Sequence, residues 1–329
     1  MALFSFLNHG GSGEQAGLLL RESGTSLARV NGTQAAPRLL DLAHLPGAGD
    51  GETLERLLQQ HRPGRAAVHC VLPLGSYQLL LVDMPKVPAN EIKAAVRWQI
   101  KDLIDFHVDD AVVDVFDAPP SGAGGAQEQV YAVVTRTGRV QHIAGAVQQA
   151  GLSLAVIDIP ELALRNLAAH LPEQEQGVAV MYLEAERGLI ALCRDNTLYL
   201  ARTIELGRAA LADADPDRRA MAISSLALEI QRSMDYYDRY FQQAPINHLY
   251  IAPTAETLPG LISELHGQVG LEARLLTPEL IFADAEADPT VWAHSLLAVP
   301  RPRHHRGRTR RSGCRRVRIL GRLEHGGGR

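Results

Sequence analysis

The chain has 329 residues, 46% of them hydrophobic and 21% charged, with a formal net charge of −4. This balance excludes collagen-like, disordered and disulfide-scaffold classes, and the length suggests about two domains. The charge is uneven: residues 300–329 hold eleven arginines and one acid, Glu324, which leaves residues 1–299 with 22 bases against 36 acids, a poor balance for phosphate contacts that need clustered Lys and Arg.

In chain order, residues 1–15 form a flexible lead, Gly/Ser-rich over 8–15, with neither the length nor the basic start of a signal peptide. Ala16–Arg21 and Ser26–Asn31 read as strands around a Gly24 turn. Gly51–His61 reads as a helix with Leu54, Leu57 and Leu58 on one face. Two more strands, Ala66–Leu72 and Tyr77–Asp83, flank Pro73-Leu74-Gly75. After Pro85 and Pro88, a helix capped by Asn90 carries Ile92, Val96, Ile100, Leu103 and Ile104 at helical spacing as far as Phe106. Strands Ala111–Phe116 and Val130–Thr135, helix Arg139–Gly151, strand Leu154–Ile159 and helix Glu161–His170 follow.

The polar stretch Pro172–Gly177 marks a domain boundary. Strands Val178–Leu183, Gly188–Cys193 and Thr197–Ile204 then lead to the longest periodic segment, Arg218–Gln243, with Ile223, Leu226, Ile230, Met234, Tyr237 and Phe241 on its apolar stripe. Asn247–Ala252 and Ala273–Leu276 read as strands, Leu258–Val269 and Thr290–Val299 as helices. Each half opens with antiparallel strands and continues with helix–strand alternation. That plan predicts α/β domains with mixed sheets, helices on their faces and a cleft between them.

Several chemistries lack their signatures. Cys70, Cys193 and Cys314 form no CxxC pair, which argues against zinc and disulfides and favours a reducing compartment. There is no HExxH, no Gly-x-Ser-x-Gly, and no Walker lysine among Lys86, Lys93 and Lys101. His69 and Cys70 alternate on a strand, so their side chains point to opposite faces.

Pro85-Lys86-Val87-Pro88, followed by Glu91-Ile92-Lys93-Ala94-Ala95-Val96-Arg97-Trp98-Gln99-Ile100-Lys101-Asp102-Leu103-Ile104 and the acidic Asp109-Asp110, resembles the PilM family of type IV pilus assembly proteins. The likeness is strongest to its MshI-type branch, which serves mannose-sensitive haemagglutinin (MSHA) pili. Leu228–Tyr237 and Leu258–Leu261 are similar to that family's later helices. The resemblance implies an actin-like (ribonuclease H-like) fold of two α/β domains, at 16–175 and 176–299, with an inserted subdomain at about 86–156. It also implies a cytoplasmic location and a grip on the cytoplasmic N-terminal peptide of a PilN-like or MshJ-like bitopic inner-membrane protein. A type II secretion platform module shares this fold.

PilM-like members bind ATP in the cleft. An actin-like pocket needs two tight Gly-containing turns, each beside a metal-side Asp, and a third Gly-Gly turn for adenosine. At the first turn stand Gly17, Leu19 and Arg21, where Gly-x-Asp-x-Gly is required. The second has Tyr182 and Glu184 in place of Asp-x-Gly, and the third has Pro253-Thr254 in place of Gly-Gly. The expectation is therefore no cofactor, no metal and no ATP hydrolysis, with Arg21 placed to pair with an acid across the cleft. Arg97, Trp98, Lys101 and Asp102 lie on either a solvated helix face or a partner-binding face. The arginine-rich tail fits contact with anionic lipid, non-specific RNA binding, or read-through in a shifted frame. The abrupt change of composition at Pro300 favours the last.

Overall fold

A computed structural model describes residues 14–301 except 34, 65, 121–127 and 284. The tail beyond Arg301 and the lead before Glu14 lie outside the described residues. The first half is built from β1 (Gln15–Arg21), β2 (Gly24–Thr33), β3 (Ala36–Leu45), α1 (Gly51–Gln60) and β4 (Ala67–Val71). It continues with β5 (Tyr77–Asp83), α2 (Ile92–Gln99), β6 (Ala111–Asp117), β7 (Gln129–Arg136), α3 (Thr137–Gln149), β8 (Leu154–Asp158) and α4 (Pro160–Ala168). The second half holds β9 (Val178–Leu183), β10 (Gly188–Arg194), β11 (Thr197–Ile204), α5 (Arg208–Leu211), α6 (Pro216–Phe241), β12 (His248–Ile251), α7 (Leu261–Val269), β13 (Glu272–Leu275) and α8 (Pro289–Ser295).

Both large sheets follow one plan. The first has strand order β3-β2-β1-β4-β8 and the second β11-β10-β9-β12-β13. In each, a central strand pairs antiparallel with the meander on one side and parallel with a crossover strand on the other. Continuous apolar runs such as Ala16–Leu20 and Val178–Leu183 make those central strands, because both faces of each are covered. The hairpins β1–β2 and β9–β10 therefore carry equivalent turns.

The third sheet, β5-β7-β6, is antiparallel. One face packs Val82, Ala132 and Val134 against Val96 and Ile100 of α2 and its last turn. Tyr131, Val133 and Phe116 on the other face join the main core. Three hydroxyls tie this small sheet to its surroundings. Tyr77 donates to Glu161 of α4 at 2.5 Å, Tyr131 to the Tyr199 carbonyl of β11 at 3.0 Å, and Tyr240 of α6 to Gln129 at 2.7 Å. Burial pushes the Glu161 carboxyl up to about 7, and the Tyr77 hydrogen bond opposes the rise.

Several sequence expectations need correction. The insert does not span 86–156: Tyr77–Asp83 already belongs to the small sheet, and Leu154–Asp158 pairs parallel with β4 in the first large sheet. The strands flanking Pro73 accordingly lie in different sheets. Strand β3 escaped the sequence reading because it is an edge strand with Pro37, Arg38, Asp41 and His44 among its apolar residues. Helix α2 stops at Gln99, well before Phe106, and its N-cap is Glu91 rather than Asn90. Past that end the 3.6-residue phase is lost, so Leu103, expected on the apolar stripe, is 57% exposed.

α4 follows β8 of the first sheet but packs on β9, β10 and β11 of the second, and all nine of its residues are buried. Beside it, Leu296–Ala298 forms a 3-10 turn against β1. Gly17 makes that approach possible: a Cβ there would meet the Ala298 carbonyl oxygen at 1.7 Å. Gly17→Ala is expected to lower stability by about 3 kcal/mol, the upper range for overpacking. Urea denaturation checks this; an unchanged midpoint would show that the turn lifts off β1 without cost.

Candidate functional site

The equivalent turns of the two halves face each other across a cleft of about 780 Å3. Its walls are the β1–β2 tip (Arg21 to Ser23), the β3–α1 loop, the β4–β5 loop around Gly75, the β9–β10 tip (Tyr182 to Arg187) and Pro253–Ala255 after β12. Of the sequence-predicted positions, Arg21, Tyr182, Glu184, Pro253 and Thr254 line this cleft. Gly17 and Leu19 do not: both lie within β1, where Gly17 backs onto Ala298 and Leu19 is buried in the core.

Arg21 spans the cleft. Its Nη1 donates to the Tyr182 hydroxyl at 2.7 Å and its Nη2 to the His294 carbonyl at 2.8 Å. The expected acid partner is thus a phenol and a carbonyl, with Glu184 close enough to feel the charge. Burial raises the Glu184 carboxyl above its ordinary range, and Arg21, Arg187 and the Tyr182 hydroxyl limit the rise. From the other side, Arg187 lies against Gly75, where a Cβ would meet its Nη1 at 2.0 Å. Two arginines therefore cross from opposite walls. Pro253 has no N–H to offer a ligand at the third turn.

Behind Arg21 is a polar cluster that sequence reading did not find. His44 of β3 and His294 of α8 stack with centroids 3.9 Å apart. Ser26 donates its one hydroxyl proton to the His294 carbonyl at 2.9 Å, so its 3.0 Å contact with His44 Nδ1 places a proton on that nitrogen. Burial, then His294 and Arg21, lower the His44 pKa to about 4. Nothing in the sequence links positions 44 and 294; only the run of α8 across β3 brings them together. No group of three or more His, Cys, Asp or Glu side chains is gathered to hold a metal among the described residues.

The second predicted site lies on the small sheet. Trp98 is 68% exposed, and Lys101 and Asp102 are also open to solvent, 4.0 Å apart. Arg97 differs: its guanidinium donates to the Val108 and Ala111 carbonyls. It pins the chain after α2 and is not a free rim residue. Leu103 and Val87 join Trp98 as large exposed apolar side chains. The stripe on α6 is graded, with Tyr237 and Phe241 buried and Met234 and Tyr240 half-buried. Tyr236, half-buried, stacks on Tyr240 at 5.1 Å.

Residues 77–217 match the family model of type IV pilus assembly protein PilM. That span includes the small sheet, α2 and the stretch on which the resemblance rests; it ends before Leu228. Among solved structures, the chain is similar to the PilM–PilN type IV pilus biogenesis complex, with TM-score 0.67 and 23% identity over 86% of this chain and 97% of that one. A Bacteroides thetaiotaomicron protein with an actin-like ATPase fold and unknown function gives TM-score 0.51 and 8% identity over 91% and 100% of the two chains. The cytoplasmic domain of EpsL, an inner-membrane component of the Vibrio cholerae type II secretion system, gives TM-score 0.48 and 13% identity over 86% and 94%. No curated protein sequence matches the chain at a significant level. The fold is actin-like.

The histidine stack makes stability pH-dependent. The His44 pKa is lower in the folded chain than its ordinary 6.5, so the unfolded chain binds the proton more tightly. Its contribution is complete above about 6.5 and is lost as pH falls towards about 4. His44→Gln should flatten the decline of the urea midpoint between those values. A slope identical to that of the native chain would remove His44 as its cause.

Proposed function

We propose that the chain is a non-catalytic scaffold of type IV pilus biogenesis, of the MSHA kind and MshI-like. It works at the cytoplasmic face of the inner membrane, where it grips the cytoplasmic N-terminal peptide of a PilN-like or MshJ-like bitopic protein. The observation that carries this reading is that the PilM family match covers the small sheet and α2, where Trp98 stands open. Among the described residues no helix is long and apolar enough to cross a membrane; in this reading the bitopic partner supplies the anchorage.

The cleft does not fit ATP with its cation. Phosphate turns work by presenting backbone N–H groups at close range, which requires glycine and a nearby acid. Here the Arg21 side chain occupies the turn and is bonded to Tyr182 and His294, Leu19 replaces the acid, and Pro253 withholds a donor. In this reading the Arg21 side chain stands where a ligand would otherwise bridge the cleft.

Peptide capture on α2 uses Trp98 and Leu103 as apolar anchors, with Lys101 and Asp102 on the rim setting orientation. Aromatic anchors of this kind contribute more than about 1 kcal/mol each. Trp98→Ala should therefore weaken binding of the partner's N-terminal peptide roughly tenfold in isothermal titration, leaving the urea midpoint unchanged. Unaltered affinity would take Trp98 out of the interface. Separately, purified chain with magnesium should show no saturable ATP binding up to about 1 mM. Micromolar affinity would make it an ATP-dependent switch instead.

A further inference from the structure

The long helix α6 buries one side and opens the other to solvent. Ile223, Leu226, Ile230 and Tyr237 belong to the core of the second half. On the opposite side Met221 is 71% exposed and Leu228 46%. Seven residues are about two helical turns, so these two side chains stand in line along the surface. Single exposed apolar groups are ordinary, but two in line on one helix make a seam.

The residues around that seam form a palindrome. Ser224 and Ser225 stand at its centre, with Met221 three residues before the first and Leu228 three after the second. Asp217 lies four residues before Met221, and Arg232 four after Leu228. All six are exposed. Arg232 bonds Glu229 of its own helix at 2.6 Å through Nη1, which leaves the other N–H groups of its fork for a second carboxylate. A twofold axis between the two serines sets a second α6 antiparallel on this face. Met221 of each copy then meets Leu228 of the other, Asp217 meets Arg232, and the small serines let the helices approach closely. A twofold interface requires this kind of self-complementary patch. Parallel pairing would oppose Asp217 to Asp217 and Arg232 to Arg232. Anionic lipid suits the face poorly, because Asp215, Asp235 and Asp238 are also open to solvent here.

We propose that two copies of the chain pair through α6, antiparallel about Ser224 and Ser225. The helix is about 39 Å long at about 1.5 Å per residue, a narrow strip beside a standard interface, so the dimer is weak, with Kd on the order of 10 μM.

Sedimentation velocity of the full chain from about 1 to 200 μM tests this, and a reversible monomer–dimer equilibrium is expected. Leu228→Glu and Met221→Glu should each weaken it at least tenfold. The charges supply the sharper test. Asp217→Arg alone and Arg232→Asp alone should each leave the chain monomeric, because like charges then meet twice. An equal mixture of those two variants should dimerise again, since each supplies the charge that the other lacks. Urea midpoints confirm that every variant is folded. A native chain that stays monomeric across the range overturns the proposal, as does a dimer that survives all four substitutions or a mixture that fails to associate. A monomeric chain that binds phosphatidylglycerol vesicles through Leu228 also overturns it, because the seam would then serve a lipid surface.

Discussion

A guanidinium inside a cleft must find acceptors or carry an uncompensated desolvation cost. Arg21 finds two, the Tyr182 hydroxyl on the second sheet and the His294 carbonyl of α8, which packs on β3 of the first, while its buried Nε has none. Much follows from that placement. Tyr182 is fixed in orientation, and Arg21 holds down a hydroxyl that burial nonetheless pushes up to about 12. Glu184 stays near a positive charge that limits its rise. α8 must cross β3 to bring the His294 carbonyl within reach, which stacks His294 on His44. The same path carries the chain down to Gly17, the one place on β1 where a carbonyl can lie against the strand.

The sequence revealed the parts whose pattern is set by local burial. Runs buried on both faces, such as Leu18–Leu20 and Val178–Leu183, and the 3.6-residue stripe of α6 stood out because one environment extends over many consecutive residues. The repeated plan of the two sheets came with them. What stayed hidden depends on partners distant in the chain. β3 has one neighbour and a mixed surface, so its alternation is blurred. The limits of the insert depend on which sheet each strand joins, and strands 77–83 and 154–158 carry no mark of that choice.

The candidate site divides along the same line. That glycine turns do not stand at Arg21, Glu184 and Pro253 could be read because a motif either has its residues or lacks them. What replaced it could not, since Arg21, Tyr182 and His294 are 161 and 273 positions apart. Gly17 misled for a physical reason: glycine serves close backbone approach to a phosphate and to a carbonyl equally well. Arg97 misled because a helix-face arginine beside an exposed tryptophan looks available until the carbonyls of residues 108 and 111 are placed under it.

The three hydroxyls around the small sheet have a mechanical meaning. Tyr77 fastens it to α4, while Tyr131 and the Tyr240–Gln129 pair fasten it to β11 and α6. The insert is thus the third leg of a tripod whose other two legs are the large sheets. A load applied at α2 is shared by both halves and cannot swing one past the other without shearing those contacts. Such a body transmits force as a rigid bracket.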